Sequence, residues 1–118
     1  DAGVRERLRP YLTALPGITP LNVNTASPEV LSACVDGLGI DEARTLVAQR
    51  DRIHFRHPSD FQAMLPRGLS VPPADFSVGS NYFLASMRAN IGGAEAHGSA
   101  LLARANTGWP SVVWRKSQ

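Results

Sequence analysis

LNVNTASPEVLSACVDGLGIDEARTLVAQR, residues 21 to 50, is the stretch whose reading decides the fold. It opens extended, on Leu21-x-Val23, and then starts a helix: Ser27 is placed as an N-cap, Pro28 occupies the first helical position, and Glu29 suits the positive helix end. Asn22 and Asn24 can bond nearby backbone groups and so hold the lead-in out of helical geometry, with Val23 pointing inward. This helix reads from Pro28 to Asp36, with Gly37 in the left-handed position that follows a helix C-terminus. After Leu38-Gly39-Ile40, Asp41 reads as the N-cap of another helix to about Asp51, with Ala43, Leu46 and Val47 on its inner face.

Outward from this pair of helices, Val4, Leu8, Tyr11, Leu12 and Leu15 recur at spacings of three and four, predicting a first helix that Pro16-Gly17 end. Ser59 reads as the cap of a short helix through Leu65, stopped by Pro66. Past Pro72-Pro73 the period changes to two. In SNYFLASMRANIGG, Phe83, Ala85, Met87, Ala89 and Ile91 share one face, opposite Tyr82, Ser86, Arg88 and Asn90, and Gly92-Gly93 end the strand. SALLARAN and SVVWRK read as two more strands. Alternation places Trp114 with Val112 on one face, as core; Trp109, beside Pro110 in a turn, is a candidate for a partner contact. The expected fold is α+β: a helical subdomain over residues 1–72, then a three-stranded antiparallel sheet over 73–118.

Composition narrows the function. The chain has 118 residues, 43% hydrophobic and 19% charged, which fits one folded domain or slightly more, and its formal net charge of +2 gives no mandate for a polyanionic partner. With one cysteine there is no internal disulfide, and Cys34 is expected as a small buried apolar residue. No apolar run approaches the roughly 20 residues of a membrane span. The chain opens Asp-Ala-Gly without a Met, as expected of a piece of something longer. VGSNY around Ser80 lacks the spacing of a nucleophile elbow. His54 and His57 have no third ligand and read as a solvated loop, and His97 reads as an exposed turn residue beside Gly98. Phosphate-cradling and dinucleotide motifs are absent from the sequence, and its acidic residues are too scattered for a calcium loop. No catalytic residue or cofactor is expected.

Val35 to Arg50 has the layout of a helix-hairpin-helix, with the turn at Gly37, Leu38 and Gly39. In nucleic-acid-binding hairpins the turn amides and the following helix N-terminus hold a phosphate. Here Asp41 and Glu42 stand where such a hairpin carries a basic residue, so no nucleic-acid binding is expected and the hairpin reads as scaffold. Together with LNVNTA, AQRD and HPSDF, the hairpin resembles two families. The DNA-uptake competence modules share the N-x-N-T-A lead-in, the Gly-hydrophobic-Gly turn and a distal Arg, over Leu21 to about Leu65; they carry the alternative reading, a helix-hairpin-helix DNA-binding module.

The second resemblance, to the type II secretion minor pseudopilins of the general secretion pathway protein K family, covers more. It adds LRPYLTALP at Leu8–Pro16, Asp60-Phe61, SNYF at Ser80–Phe83 and VVWRK at Val112–Lys116. That resemblance implies a helical, SAM-like subdomain followed by strands completing a pilin-like sheet. It also implies a membrane-spanning N-terminal helix outside this chain, anchoring the protein at the periplasmic face of the bacterial inner membrane. The implied function is structural: assembly with minor pseudopilins I and J at the pseudopilus tip, initiating the filament that exports proteins across the outer membrane. Some members bind calcium, for which no ligands can be assigned among these residues.

Overall fold

A computed structural model describes residues 1–117, in the order α1 (Ala2–Leu8), β1 (Leu21–Asn22), α2 (Pro28–Cys34), α3 (Ile40–Arg52), α4 (Pro58–Met64), a 3-10 turn (Pro73–Asp75), β2 (Phe76–Ser77), β3 (Tyr82–Ile91), β4 (Ala94–Ala103) and β5 (Ser111–Ser117). Helices come first and the three-stranded sheet last, an α+β chain as its periodicities predict. It divides into two units, Asp1–Gly79 and Ser80–Gln118. The division falls after Gly79 and not at Pro72-Pro73, because Phe76-Ser77 pairs in parallel with Leu21-Asn22 and Phe76 is buried in the helical core.

That core is built on Phe61, which is fully buried. Its ring meets Phe55 edge-on at 5.6 Å between centroids and stacks on Phe76 at 5.9 Å. Val23, Leu31, Val35, Leu38, Ala43 and Leu46 complete it from the opening stretch. Ser27 caps α2 as expected, its Oγ accepting the Val30 N–H at 3.3 Å.

Several expectations are corrected. The first helix ends at Leu8 and not at Leu15: Pro10 has no N–H to return to the preceding turn, and α1 contributes no buried residue. Cys34 is exposed, because Leu31 and Val35, one turn apart, take the inward positions of α2. The cap of α3 is Gly39 and not Asp41; the Glu42 carboxylate reaches back to accept the Gly39 N–H at 2.9 Å. The cap of α4 is His57 and not Ser59, with Pro58 in the first turn.

In the second unit β3, β4 and β5 lie in that order, antiparallel. The β3–β4 turn is Gly92-Gly93, at φ +57° and +84°, the left-handed pair that a two-residue hairpin turn requires. His97 lies within β4, opposite Arg88, and is a strand residue and not a turn residue. A bulge in the β4–β5 ladder sets Leu101 opposite Trp114 but Leu102 opposite Val112. Adjacent residues of β4 face opposite ways, so Val112 and Trp114 lie on opposite faces, contrary to simple alternation. Trp114 is half-buried, with the Lys116 ammonium 4.8 Å above its ring, and is not a core residue.

Candidate functional site

The hairpin is closed by the chain itself. Gly37 has φ +81°, and a Cβ there would meet Leu69 Cδ2 at 2.9 Å, so both conformation and space demand glycine. Leu38 is buried, its N–H donating to the Val35 carbonyl at 3.1 Å and its carbonyl accepting from Ser32 Oγ at 2.8 Å. The Gly39 amide, which a phosphate would use, is bonded to Glu42, and Asp41 adds a second carboxylate to the same turn, 3.0 Å from Arg44. Carboxylates stabilise the positive end of α3 and repel an incoming anion.

The segment ahead of the hairpin is held by two polar side chains. Asn24 replaces a piece of backbone: its Oδ1 accepts the Phe55 N–H at 2.9 Å, while its Nδ2 donates to the carbonyls of Phe55 at 2.9 Å and Val78 at 3.1 Å. The Val23 N–H donates to the Ser77 carbonyl at 2.9 Å, so Asn24 continues the β1–β2 ladder with a side chain where the strands end. The Asx turn expected of Asn22 forms as well, its Oδ1 accepting the Asn24 N–H at 2.9 Å.

Arg50 is the second holder, and sequence reasoning missed its burial. The residue is 7% exposed, and its guanidinium donates to the carbonyls of Val23, at 2.8 Å, and Ala26. Its Nε lies 3.6 Å from the Asp51 carboxylate without a hydrogen bond. One signal was available: Ala43, Leu46 and Arg50 continue the inward stripe of α3, so a cation stands where the helical period calls for an apolar residue.

The α3–α4 junction is fixed from α4. Asp60 accepts the N–H groups of His57 at 2.9 Å and Arg56 at 3.0 Å, and these bonds hold its carboxyl below its ordinary value. His54 and His57 are exposed. Among the described residues no group of three or more His, Cys, Asp or Glu side chains could hold a metal ion, and no helix is long and apolar enough to cross a membrane.

On the sheet, register puts Phe83, Ala85, Met87, Ala89 and Ile91 of β3 on one face with Ala94, Ala96, Gly98, Ala100 and Leu102 of β4 and Val112 of β5. Phe83, Met87, Ile91 and Val112 on that face are exposed, and Ala100 is buried. Trp109 stands in the β4–β5 loop, 93% exposed.

Residues 21–78 match the family model described as type II secretion system (T2SS), protein K. Those limits begin with β1 and run just past β2, taking in the hairpin, Asn24 and Arg50. The chain is also similar to the type II secretion system protein K of Pseudomonas aeruginosa strain PAO1, 36% identical over 87 residues, 73% of this chain. The chain belongs to the type II secretion system protein K family. The matched region spans only 26% of the Pseudomonas protein. This is a family of secretion components and not a known enzyme family, and membership implies an envelope-associated, periplasmic location.

Proposed function

We propose that this chain is part of a structural subunit at the pseudopilus tip, which assembles with minor pseudopilins I and J to initiate the exporting filament. The observation that carries the reading beyond family membership is the sheet face from Phe83 to Ile91. It is apolar along the whole of β3 and lined by small residues on β4, yet Ile91 is 80% exposed and Met87 57%. Apolar surface of that extent is seldom left bare on soluble monomers. In the proposed arrangement a long N-terminal helix covers it, pilin-like, and continues into the inner membrane as the anchor. Trp109 is the proposed anchor residue of a partner contact, a large aromatic side chain displayed on a loop. The hairpin at Gly37, Leu38 and Gly39 serves as scaffold.

The competence-like alternative finds no support in the hairpin, where Glu42 takes the Gly39 donor and Asp41 adds negative charge. The test is sedimentation of the chain, with and without an upstream helix, in the presence of the periplasmic domains of I and J. Association with either partner, weakened about tenfold or more by Trp109→Ala, is expected. A monodisperse short chain with no affinity for I or J in either form overturns the tip reading. A salt-dependent shift of duplex DNA at micromolar protein would favour the alternative.

A further inference from the structure

From the last residue of α3 to the start of α4 the chain runs Arg52-Ile53-His54-Phe55-Arg56-His57, and Phe55 alone of these is buried. The loop backbone is clamped at three consecutive residues. Phe55 is held at both its N–H and its carbonyl by Asn24, and the Arg56 and His57 N–H groups are held by Asp60. Around this clamped backbone two arginines, two histidines and one aliphatic side chain are displayed: Arg52, His54, Arg56 and His57 are exposed, and Ile53 is 79% exposed. Among the described residues neither Arg52 nor Arg56 has an ion-pair partner. Asp60 is turned onto the backbone amides, with Arg56 and His57 as lesser electrostatic neighbours, and Asp51 stands 3.6 Å from the Arg50 guanidinium while remaining 66% exposed.

The geometry points to this loop as a contact for an anionic lipid surface, with the Arg52 and Arg56 guanidiniums on lipid phosphates and the Ile53 side chain at the acyl boundary. Guanidiniums without ion-pair partners at a helix end and in the loop that follows it suit a surface of repeated phosphates. The lone aliphatic side chain between them needs a soft apolar layer and not a shaped cleft. Because the backbone is already fixed, docking orders little more than side chains. Few cations and one aliphatic group make a weak contact, which orients a subunit at a membrane and does not anchor it. The inference draws on the family's envelope location and is independent of the tip-complex reading.

The test is flotation of the chain with vesicles of phosphatidylglycerol mixed with phosphatidylcholine, against phosphatidylcholine alone. Low and high salt give Debye lengths of about 10 Å and about 3 Å. Binding is expected to prefer the anionic vesicles and to fall with salt. Arg52→Glu/Arg56→Glu should weaken anionic binding about tenfold or more, and Ile53→Ser should weaken it less. Both variants alter exposed side chains, so an unchanged thermal melt confirms that only the surface is altered. Millimolar inorganic phosphate should leave binding intact; full competition would mark a phosphate site and overturn the membrane assignment. Equal binding to both vesicle types, or none, also overturns it. So does binding that survives Arg52→Glu/Arg56→Glu but disappears with Met87→Glu, since the sheet face would then be the contact.

Discussion

The two units have equally clear apolar patterns and very different interiors. In Asp1–Gly79 the inward positions of α2, α3 and α4 close on Phe61, which is fully buried. In Ser80–Gln118 the alternation of β3 is just as regular, yet of the strand residues only Ala100 and Leu101 are buried, and they face opposite sides of β4. Periodicity specifies which side of an element is apolar. Whether that side is covered depends on what packs there, and a single three-stranded layer cannot cover itself.

The contrast is broken most directly at Phe61. Phe61→Ala should destabilise the helical unit by about 3–5 kcal/mol, because it removes the ring shared by Phe55 and Phe76. Chemical denaturation followed in the far ultraviolet would read this as an early loss of helix. A parent-like denaturation midpoint would mean that the helical core is not built on this residue.

Gly37→Val should follow at about 1–3 kcal/mol, from a positive φ and a Cβ 2.9 Å from Leu69 Cδ2. Gly68 offers the control, since its φ is also positive (+87°) but nothing lies within 4 Å of its Cβ position. Gly68→Val should therefore cost less than Gly37→Val. Equal melting shifts would show that strain alone acts at Gly37 and that Leu69 yields freely.

Asp60→Asn sharpens the comparison through pH. The folded carboxyl titrates below its ordinary value of 3.8 because the His57 and then the Arg56 amides favour its charged form. The unfolded chain therefore takes up this proton first as pH falls. The contribution is complete above about pH 4 and is lost as pH drops through the lowered folded value. The variant should melt below the parent at neutral pH, and the gap should narrow in acid. A gap that stays constant down to about pH 2 would remove Asp60 as its source.

The smallest effect is expected on the sheet. Ile91→Ala, at a side chain 80% exposed, should change the stability of the isolated chain by no more than about 0.5 kcal/mol. With an upstream helix attached, the same substitution should destabilise measurably. Identical small effects in both contexts would leave the face without a cover.

Much of the fold was legible. Ser27-Pro28 specified the start of α2 and Gly92-Gly93 the sheet turn, because each depends on local backbone chemistry; Gly37 is left-handed as expected, but α2 ends at Cys34 with an extended cap at Val35, so Gly37 belongs to the turn and not to the position directly after a helix reaching Asp36. What stayed hidden depends on remote partners. The pairing of Leu21 with Phe76, the Asn24 link from Phe55 to Val78, and the burial of Arg50 against the Val23 carbonyl all join segments far apart in sequence. The bulge that separates Val112 from Trp114 leaves no mark in the alternation of SVVWRK. At the candidate site, the acidic first turn of α3 was readable from Asp41 and Glu42, whereas the closure of Glu42 onto Gly39 is visible only in the folded geometry.

The short parallel ladder between β1 and β2 has an architectural consequence. Adjacent strands in a sheet lie about 4.8 Å apart, so the chain enters the helical core at Leu21 and leaves it at Ser77 through neighbouring points in space. Because the pair is parallel, the chain leaves in the direction in which it entered, so residues 21–78 are a detour with its own core on a path that continues onward, and not a loop that turns the chain back.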